Sequence, residues 1–368
     1  MSKVRHVLGI SGGKDSTALA VYLRKKYPML DIEYYFCDTG KELPETYELL
    51  TNLESVLGKK IERLEAAKNS PEGNSFDHFL ELYGGYLPSS ASRWCTRKLK
   101  LEPFEKFVAD DLVISYVAIR GDENREAYIS KKPNIQSIFP FRKNIWSEDV
   151  ISAILNNKNI STIRKYYSNL VKEEKLKAIL ETIEKPISQE YYRVKKLNTL
   201  LDFGIELFNK VVFEFLEKTD YPLSKEKNFP LISNTDVFNK EDVFTLLNES
   251  GIGLPKYYDN IEFKLDNKLG YYHRSRSGCF FCFYQQKIEW IWLYEQHKDL
   301  FKKAMEYEKK GYTWIQGEKL QELIKPERIK QIKEDYLLSN PNKPIKATGK
   351  LIDILDDGST EGCAVCFI

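Results

Sequence analysis

Short unbroken apolar runs and longer stretches with helical spacing follow one another through the first third of the chain. Val4 to Ile10 is apolar without polar alternation, the pattern of a strand buried on both faces in a parallel sheet. Ser11 to Ser16 interrupts it with two glycines, and Thr17 to Tyr27 resumes with Leu19, Val21 and Leu23 at helical spacing. Ile32 to Cys37 predicts a second strand that ends on Asp38-Thr39-Gly40, and Pro44 suits the first turn of a following helix. Ile61 to Leu64 and Leu112 to Ile119 predict further strands. This alternation predicts an α/β fold, a doubly wound parallel sheet with its ligands at the carboxyl ends of the strands.

The pattern changes at Trp146. From there to about Tyr221 the chain is rich in Lys, Glu, Leu and Ile and poor in glycine, with helical spacing over Val171 to Ile183 and Leu197 to Leu216. The expected organisation is a nucleotide-binding α/β domain over residues 1–145 and a helical insertion over 146–228. A cysteine-bearing, helical C-terminal region follows over 229–340, then a tail over 341–368. Within the third part, long helices are predicted from Gln285 to Lys309 and from Glu318 to about Leu338.

Composition narrows this picture little. With 42% hydrophobic and 30% charged residues in 368, the chain has the balance of a water-soluble globular protein rather than of a disordered one. A formal charge of +2 gives no reason to expect a nucleic-acid binder, and runs such as Arg24-Lys25-Lys26 read as solvated faces. The start lacks the basic-then-apolar order of a secretory signal, and no apolar run reaches the roughly 18 residues of a membrane span. The expectation is a cytoplasmic protein without membrane attachment, in which cysteines stay reduced.

Ser11-Gly12-Gly13-Lys14-Asp15-Ser16 lies between the first predicted strand and helix. Glycines let backbone N–H groups approach an anion there, and the helix N-terminus adds its positive dipole end. The Ser16 hydroxyl and Lys14 supply further contacts to phosphate oxygens. A Walker A loop is excluded, because Leu8 stands where its first glycine belongs and Asp15 where Ser or Thr must follow the lysine.

The hexapeptide resembles the SGGxDS signature of the PP-loop (N-type) ATP pyrophosphatases, whose fold is adenine nucleotide alpha hydrolase-like. The resemblance implies that Ser11, Gly12, Gly13, Lys14, Asp15 and Ser16 hold the phosphates of ATP and a magnesium ion. Asp38-Thr39-Gly40 with Pro44-Glu45-Thr46-Tyr47 resembles the DTG…PETY stretch of the phosphoadenylyl-sulfate (PAPS) reductase branch, which implies adenosine contact. Arg93-Trp94-Cys95-Thr96 with Lys98, Lys100 and Pro103 is similar to that branch's cysteine-plus-lysine element. Ala118-Ile119-Arg120-Gly121-Asp122-Glu123 is similar to its GxRxxE loop, with alanine for the first glycine and Arg125 close behind the glutamate. By that resemblance Arg120 and Glu123 join the nucleotide site, with Lys14, Asp15, Ser16 and Arg120 taking the catalytic part. A structural salt bridge is the alternative for Arg120.

Cys279-Phe280-Phe281-Cys282 is a C-x-x-C on a predicted turn, with Arg274 and Arg276 just before it. That spacing serves zinc, an iron–sulfur cluster or a dithiol pair, and all three need thiolates that basic neighbours favour. Cys95 is a candidate third ligand, and the tail pair Cys363 and Cys366 a candidate source of the fourth. The tail also reads as a mobile redox arm, although Glu361-Gly362-Cys363 lacks the histidine of the reductase motif E-C-G-x-H. Cys37, inside a predicted strand, reads as a small buried hydrophobe. His273 is near the C-x-x-C, and Tyr257, Tyr258, Tyr271 and Tyr272 are candidates for base stacking or for the core.

The cysteine set and the GCFFC segment resemble PAPS reductase-related proteins and the DndC-type proteins of DNA phosphorothioation. That resemblance implies a 4Fe–4S cluster, with zinc as the alternative, and an AMP-forming ATP pyrophosphatase that activates its substrate for sulfur incorporation. It further implies a sulfur donor such as a cysteine desulfurase, other subunits of a phosphorothioation or phage-defence system, and a nucleic-acid acceptor; an oligomer is compatible with it. The competing readings are a (phospho)adenylyl-sulfate reductase and a nucleotide-sensing subunit of a defence assembly.

Overall fold

In this computed structural model the described residues are 3–124, 130, 132–266 and 268–339. Five strands, β1 (Arg5–Gly9), β2 (Ile32–Asp38), β3 (Ile61–Glu65), β4 (Val113–Tyr116) and β5 (Ile135–Ile138), form one parallel sheet in the order β3-β2-β1-β4-β5. The chain winds outward from β1 in one direction and then in the other, the doubly wound α/β arrangement expected from the sequence. The β1–β4 pairing sets Arg5 opposite Val113 and Leu8 opposite Tyr116. Val7, Leu8, Val113 and Ile114 are completely buried, as unalternated apolar strands require.

Three helices follow the first three strands: α1 (Lys14–Lys26), α2 (Pro44–Leu57) and α3 (Ser75–Leu82). Pro44 opens α2, and Gly58 closes it in the left-handed conformation with φ 64°. Asn74 caps α3, its side chain accepting from the Asp77 N–H.

By packing, the described residues group into two units. One is built from the described residues of 3–9, Tyr22–Glu33 and Val108–Val243, the other from Ile10–Val21, Tyr34–Phe107 and the described residues of 244–339. The first unit holds the helix-rich stretch read from the sequence: Ile160–Leu170, Glu173–Glu184, Arg193–Phe203 and Ile205–Leu216. One continuous helix over Leu197 to Leu216 is corrected to two, because Gly204 at φ 153° breaks it. Lys196, 1% exposed, gives its ammonium to the carbonyls of Ile183 (2.6 Å) and Lys185 (2.8 Å), the end of the preceding helix. Asn209 accepts from Trp146 Nε1 (2.8 Å), and Asn234 donates to Pro140 O (2.8 Å), so buried amides tie the helices to their flanks.

Also in this unit, His6 on β1 sits beside Tyr116, with Nδ1 at 2.9 Å from the hydroxyl. Burial lowers its pKa from 6.5 to about 4, and Glu226, 3.6 Å from Nε2, is too far to hydrogen-bond and restore it. A neutral buried histidine favours the fold while it stays neutral. Stability is therefore expected to fall as pH drops from 6.5 towards 4, because the unfolded chain takes the proton first. Denaturant midpoints across that range should be flatter for His6→Gln than for the parent protein; parallel curves would refute this.

The second unit carries an antiparallel hairpin, β6 (Ile261–Leu265) and β7 (Lys268–Tyr272), that the sequence reading did not anticipate. Asp266, with φ 51°, begins its turn, which is a conformation aspartate tolerates. The two long C-terminal helices are also corrected. The first is two helices, Lys287–Gln296 and Lys298–Glu306, parted at His297 (φ −136°, ψ 67°). The second is a short turn, Leu320–Leu323, and a helix, Pro326–Ser339, because a residue preceding proline is pushed out of the helical region. Trp290, Trp314, Phe76, Phe281 and Phe301 form the centre of this unit's core.

Candidate functional site

The loop after β1 and most of the predicted site residues fall in the second unit. Gly12 has φ 73°, and a β-carbon on it would stand 2.4 Å from the Thr46 methyl of α2. Glycine is thus required twice, by conformation and by space. The Ser16 hydroxyl accepts from Ser11 N–H (3.1 Å) and donates to Gly13 O (3.3 Å), while Thr17 Oγ1 donates to the same carbonyl (2.8 Å). These bonds close the loop directly onto the first turn of α1. Lys14 Nζ lies 3.8 Å from Asp15 Oδ2 and 5.0 Å above the Tyr258 ring. Tyr257, fully buried, donates its hydroxyl to Gly12 O (2.7 Å) and so latches the loop from the far end of the sequence. Tyr257, Tyr258 and Tyr272 are core residues of this unit rather than open stacking surfaces.

Asp38 organises the turn after β2, accepting from Gly40 N–H (2.8 Å) and from the Tyr47 hydroxyl (2.8 Å). Thr39 donates to Glu42 Oε1 (2.8 Å) and lies 3.3 Å from Cys279 Sγ. Phe280 N–H donates to Lys41 O (2.9 Å), and Glu42 bridges Cys279 as in an antiparallel ladder. The sequence treats the Asp38-Thr39-Gly40 turn and the C-x-x-C as separate sites; the fold makes them one.

Cys282 N–H closes the cysteine turn on Cys279 O (3.1 Å). Arg274, completely buried, donates to the same carbonyl (3.3 Å) and passes its own N–H to Tyr257 O (2.9 Å). Its Nε and Nη1 have no partner among the described residues. Burial pushes both thiols up, Cys279 well above its usual range, with Glu42 adding to it; Lys100 acts in the opposite direction on both. Burial likewise raises the Glu42 carboxyl. Cys95 sits on the short helix Trp94–Thr96, which passes into a π-helical turn over Arg97–Leu101, a form concentrated at functional sites. It packs on the same apolar cluster as Cys279. Cys37 is buried, and burial pushes its thiol up to about 12.

Among the described residues no three His, Cys, Asp or Glu side chains stand together as a metal site. The cysteine turn supplies two sulfur donors, and the described residues do not complete a cluster cradle. Cys363 and Cys366 lie outside the described residues, as does Arg125. Oxygen donors of the kind magnesium takes are present on the Ser11–Ser16 loop, the Asp15 carboxylate and the Ser11 and Ser16 hydroxyls, the last two 3.1 Å apart.

Arg120 and Glu123 belong to the first unit. The guanidinium pairs with Asp122 (2.8 Å) and Glu123 (3.1 Å), and Gly121 beside it leaves no room for a β-carbon against Val237 (2.4 Å). Three contributors to the loop escaped the sequence reading or were given another part: Thr46 and Ser277, which pack on its glycines, and the Tyr257 latch. Thr46 had a local signal in the PETY stretch; the other two had none.

Residues 5–187 match the family model of the phosphoadenosine phosphosulfate reductase domain. An uncharacterised protein of Methanocaldococcus jannaschii is 33% identical over 154 residues, 38% of this chain and 30% of that protein. The tRNA-specific 2-thiouridylase of Actinobacillus succinogenes is 25% identical over 192 residues, 44% of this chain and 48% of the enzyme. The chain thus spans less than half the length of these relatives. A nin-region protein of Escherichia phage lambda is 27% identical over 156 residues, covering 36% of this chain and 52% of that protein. Among solved structures, PAPS reductase of Candida auris in its phosphate complex aligns with 16% identity and a TM-score of 0.29, covering 48% of this chain and 78% of that one. No helix among the described residues is long and apolar enough to cross a membrane. The matched residues 5–187 and the glycine-serine loop after β1 support the PP-loop, PAPS reductase-like superfamily for this chain.

Proposed function

We propose that this protein binds ATP at the loop Ser11–Ser16 and activates an acceptor by adenylylation, releasing pyrophosphate, as the first half of a sulfur-incorporation reaction. The observation that carries the reading is the loop itself, latched by Tyr257 and opening onto the N-terminus of α1. An acceptor oxygen attacks the α-phosphate, the bond to the β-phosphate oxygen breaks, and pyrophosphate leaves. The N–H groups of α1, the Lys14 ammonium and the loop hydroxyls hold the charge that gathers on that leaving group. Magnesium, held by Asp15 with the loop hydroxyls, would supply further charge neutralisation.

A sulfur-bearing nucleophile then displaces AMP from the acceptor. The Cys279–Cys282 turn, built against Thr39 and Glu42, is where such a sulfur would be held. A 4Fe–4S cluster on these cysteines would need further ligands from outside the described residues. The similarity to tRNA thiouridylases favours a nucleic-acid acceptor with a cysteine desulfurase as sulfur donor, and a phosphorothioation setting is the narrower form of the same idea.

The test supplies the protein with α-labelled ATP, magnesium, a persulfide donor and total nucleic acid. Labelled AMP and pyrophosphate in equal amounts are expected, together with sulfur in the nucleic acid. ADP with free phosphate, or sulfite released from PAPS with a thiol while ATP is untouched, would overturn the proposal.

A further inference from the structure

Ser277 stands two residues before Cys279, on the stretch that carries the cysteine turn, and no role follows for it from the reading above. Its Oγ lies 2.8 Å from the point a β-carbon on Gly13 would occupy, and Ser11 Oγ lies 3.3 Å from that same point. Ser11 Oγ is in turn 3.1 Å from Ser16 Oγ. Two hydroxyls, one from the loop and one from more than 260 positions away, therefore gather around the missing side chain of Gly13, and that of Ser16 adjoins the Ser11 hydroxyl.

The Ser11 and Ser16 hydroxyls are engaged with the loop. Ser16 donates to Gly13 O, and Ser11 Oγ accepts from Gly13 N–H at 3.4 Å. Ser277 is half-buried and makes no hydrogen bond with any described residue. Its position is nevertheless fixed. Arg274 holds one side of the stretch through Tyr257 O and Cys279 O, and Gly278, at φ 116°, provides the bend between serine and cysteine. A hydroxyl held in place on this loop, with no hydrogen-bond partner among the described residues, suits a phosphate oxygen.

We propose that Ser277 is a ligand of the nucleotide's polyphosphate, supplied to the loop by the cysteine-bearing segment. The proposal rests on the reading of Ser11–Ser16 as a phosphate loop and adds a residue that the SGGxDS motif does not contain.

The experiment is calorimetric titration of the full chain with ATP, with inorganic pyrophosphate and with adenosine. For Ser277→Ala, affinity for ATP and pyrophosphate is expected to fall roughly tenfold or more, the size of one hydrogen bond to a charged group, while adenosine binds as before. Ser277→Cys keeps the shape with a poor donor and should lose affinity similarly, which guards against a folding artefact in the first variant. Gly13→Ala pushes a methyl into Ser277 Oγ; adding Ser277→Gly should restore the melting temperature without restoring pyrophosphate affinity. Pyrophosphate binding unchanged in both Ser277→Ala and Ser277→Cys would overturn this inference alone. A parent protein that binds neither ATP nor pyrophosphate would overturn the phosphate-loop reading beneath it.

Discussion

Gly12→Ala is expected to cut pyrophosphate formation by about two orders of magnitude, the loss that follows when reacting groups shift by about 1 Å. Two separate costs act at this position. The left-handed backbone, φ 73°, costs an alanine about 1–2 kcal/mol. The new methyl would also sit 2.4 Å from Thr46 Cγ2, and Thr46 is completely buried in the first turn of α2. The loop must then move off α2 and away from the Tyr257 hydroxyl. The two costs separate in a double variant. Thr46→Ser removes the methyl that collides, while Thr46 Cβ, at 3.5 Å, is ordinary contact. Gly12→Ala/Thr46→Ser should therefore regain part of the turnover and stop roughly fivefold to thirtyfold short of the parent, the share that belongs to the backbone. Turnover of Gly12→Ala within twofold of the parent would remove the glycine requirement from the account.

The largest effect on stability is expected at Trp290. Its side chain is fully buried, with Trp314 at 6.2 Å and Phe301 at 6.4 Å between ring centres. Trp290→Ala should cost about 3–5 kcal/mol, combining lost burial with the cavity left behind. For a unit of this size that lowers the melting midpoint by on the order of 10 °C. Trp290→Phe should cost distinctly less than its lost volume suggests, because the indole N–H has no partner among the described residues and its removal relieves an unpaired buried donor. The same helix carries Glu289, whose Oε1 accepts from Ser275 N–H (2.7 Å) and hydroxyl (2.8 Å). Trp290→Ala therefore loosens the anchor of the cysteine turn, and thiol-reactive probes should modify Cys279 and Cys282 faster in that variant. Equal midpoints for the alanine and phenylalanine variants would contradict the packing argument.

Four strands of the sheet were legible, β1 and β2 as apolar runs closed by Gly9 and Asp38, and Pro44 marks the start of α2; the four-residue edge strand β5, Ile135–Ile138, with polar Gln136 and Ser137 inside it, was not. The strand–loop–helix placement of Ser11–Ser16 was legible because it is contiguous, six residues between a strand and a helix. What could not be read is what depends on distant pairing. Thr39 and Cys279 are 240 positions apart, and neither neighbourhood announces the other. The break at His297 was hidden for a different reason. Leu293 before it and Phe301 after it both face the same core, so the apolar spacing continues although the backbone does not. The break before Pro326 was, by contrast, marked in the sequence by the proline itself. Arg120 was legible as a charged loop residue, but its pairing with both Asp122 and Glu123 depends on side-chain geometry.

The Tyr257 latch also has a consequence for biosynthesis. Its hydroxyl reaches a carbonyl 245 positions nearer the N-terminus. At a synthesis rate of about 5–20 residues per second, the complete glycine-serine motif is made roughly 12–50 s before the residue that fixes it. A nascent or prematurely released chain ending before Tyr257 carries every letter of the motif and lacks the clasp that shapes it. If the loop binds nucleotide as proposed, a chain ending before Tyr257 should bind ATP far more weakly than the full chain, although it carries the whole motif.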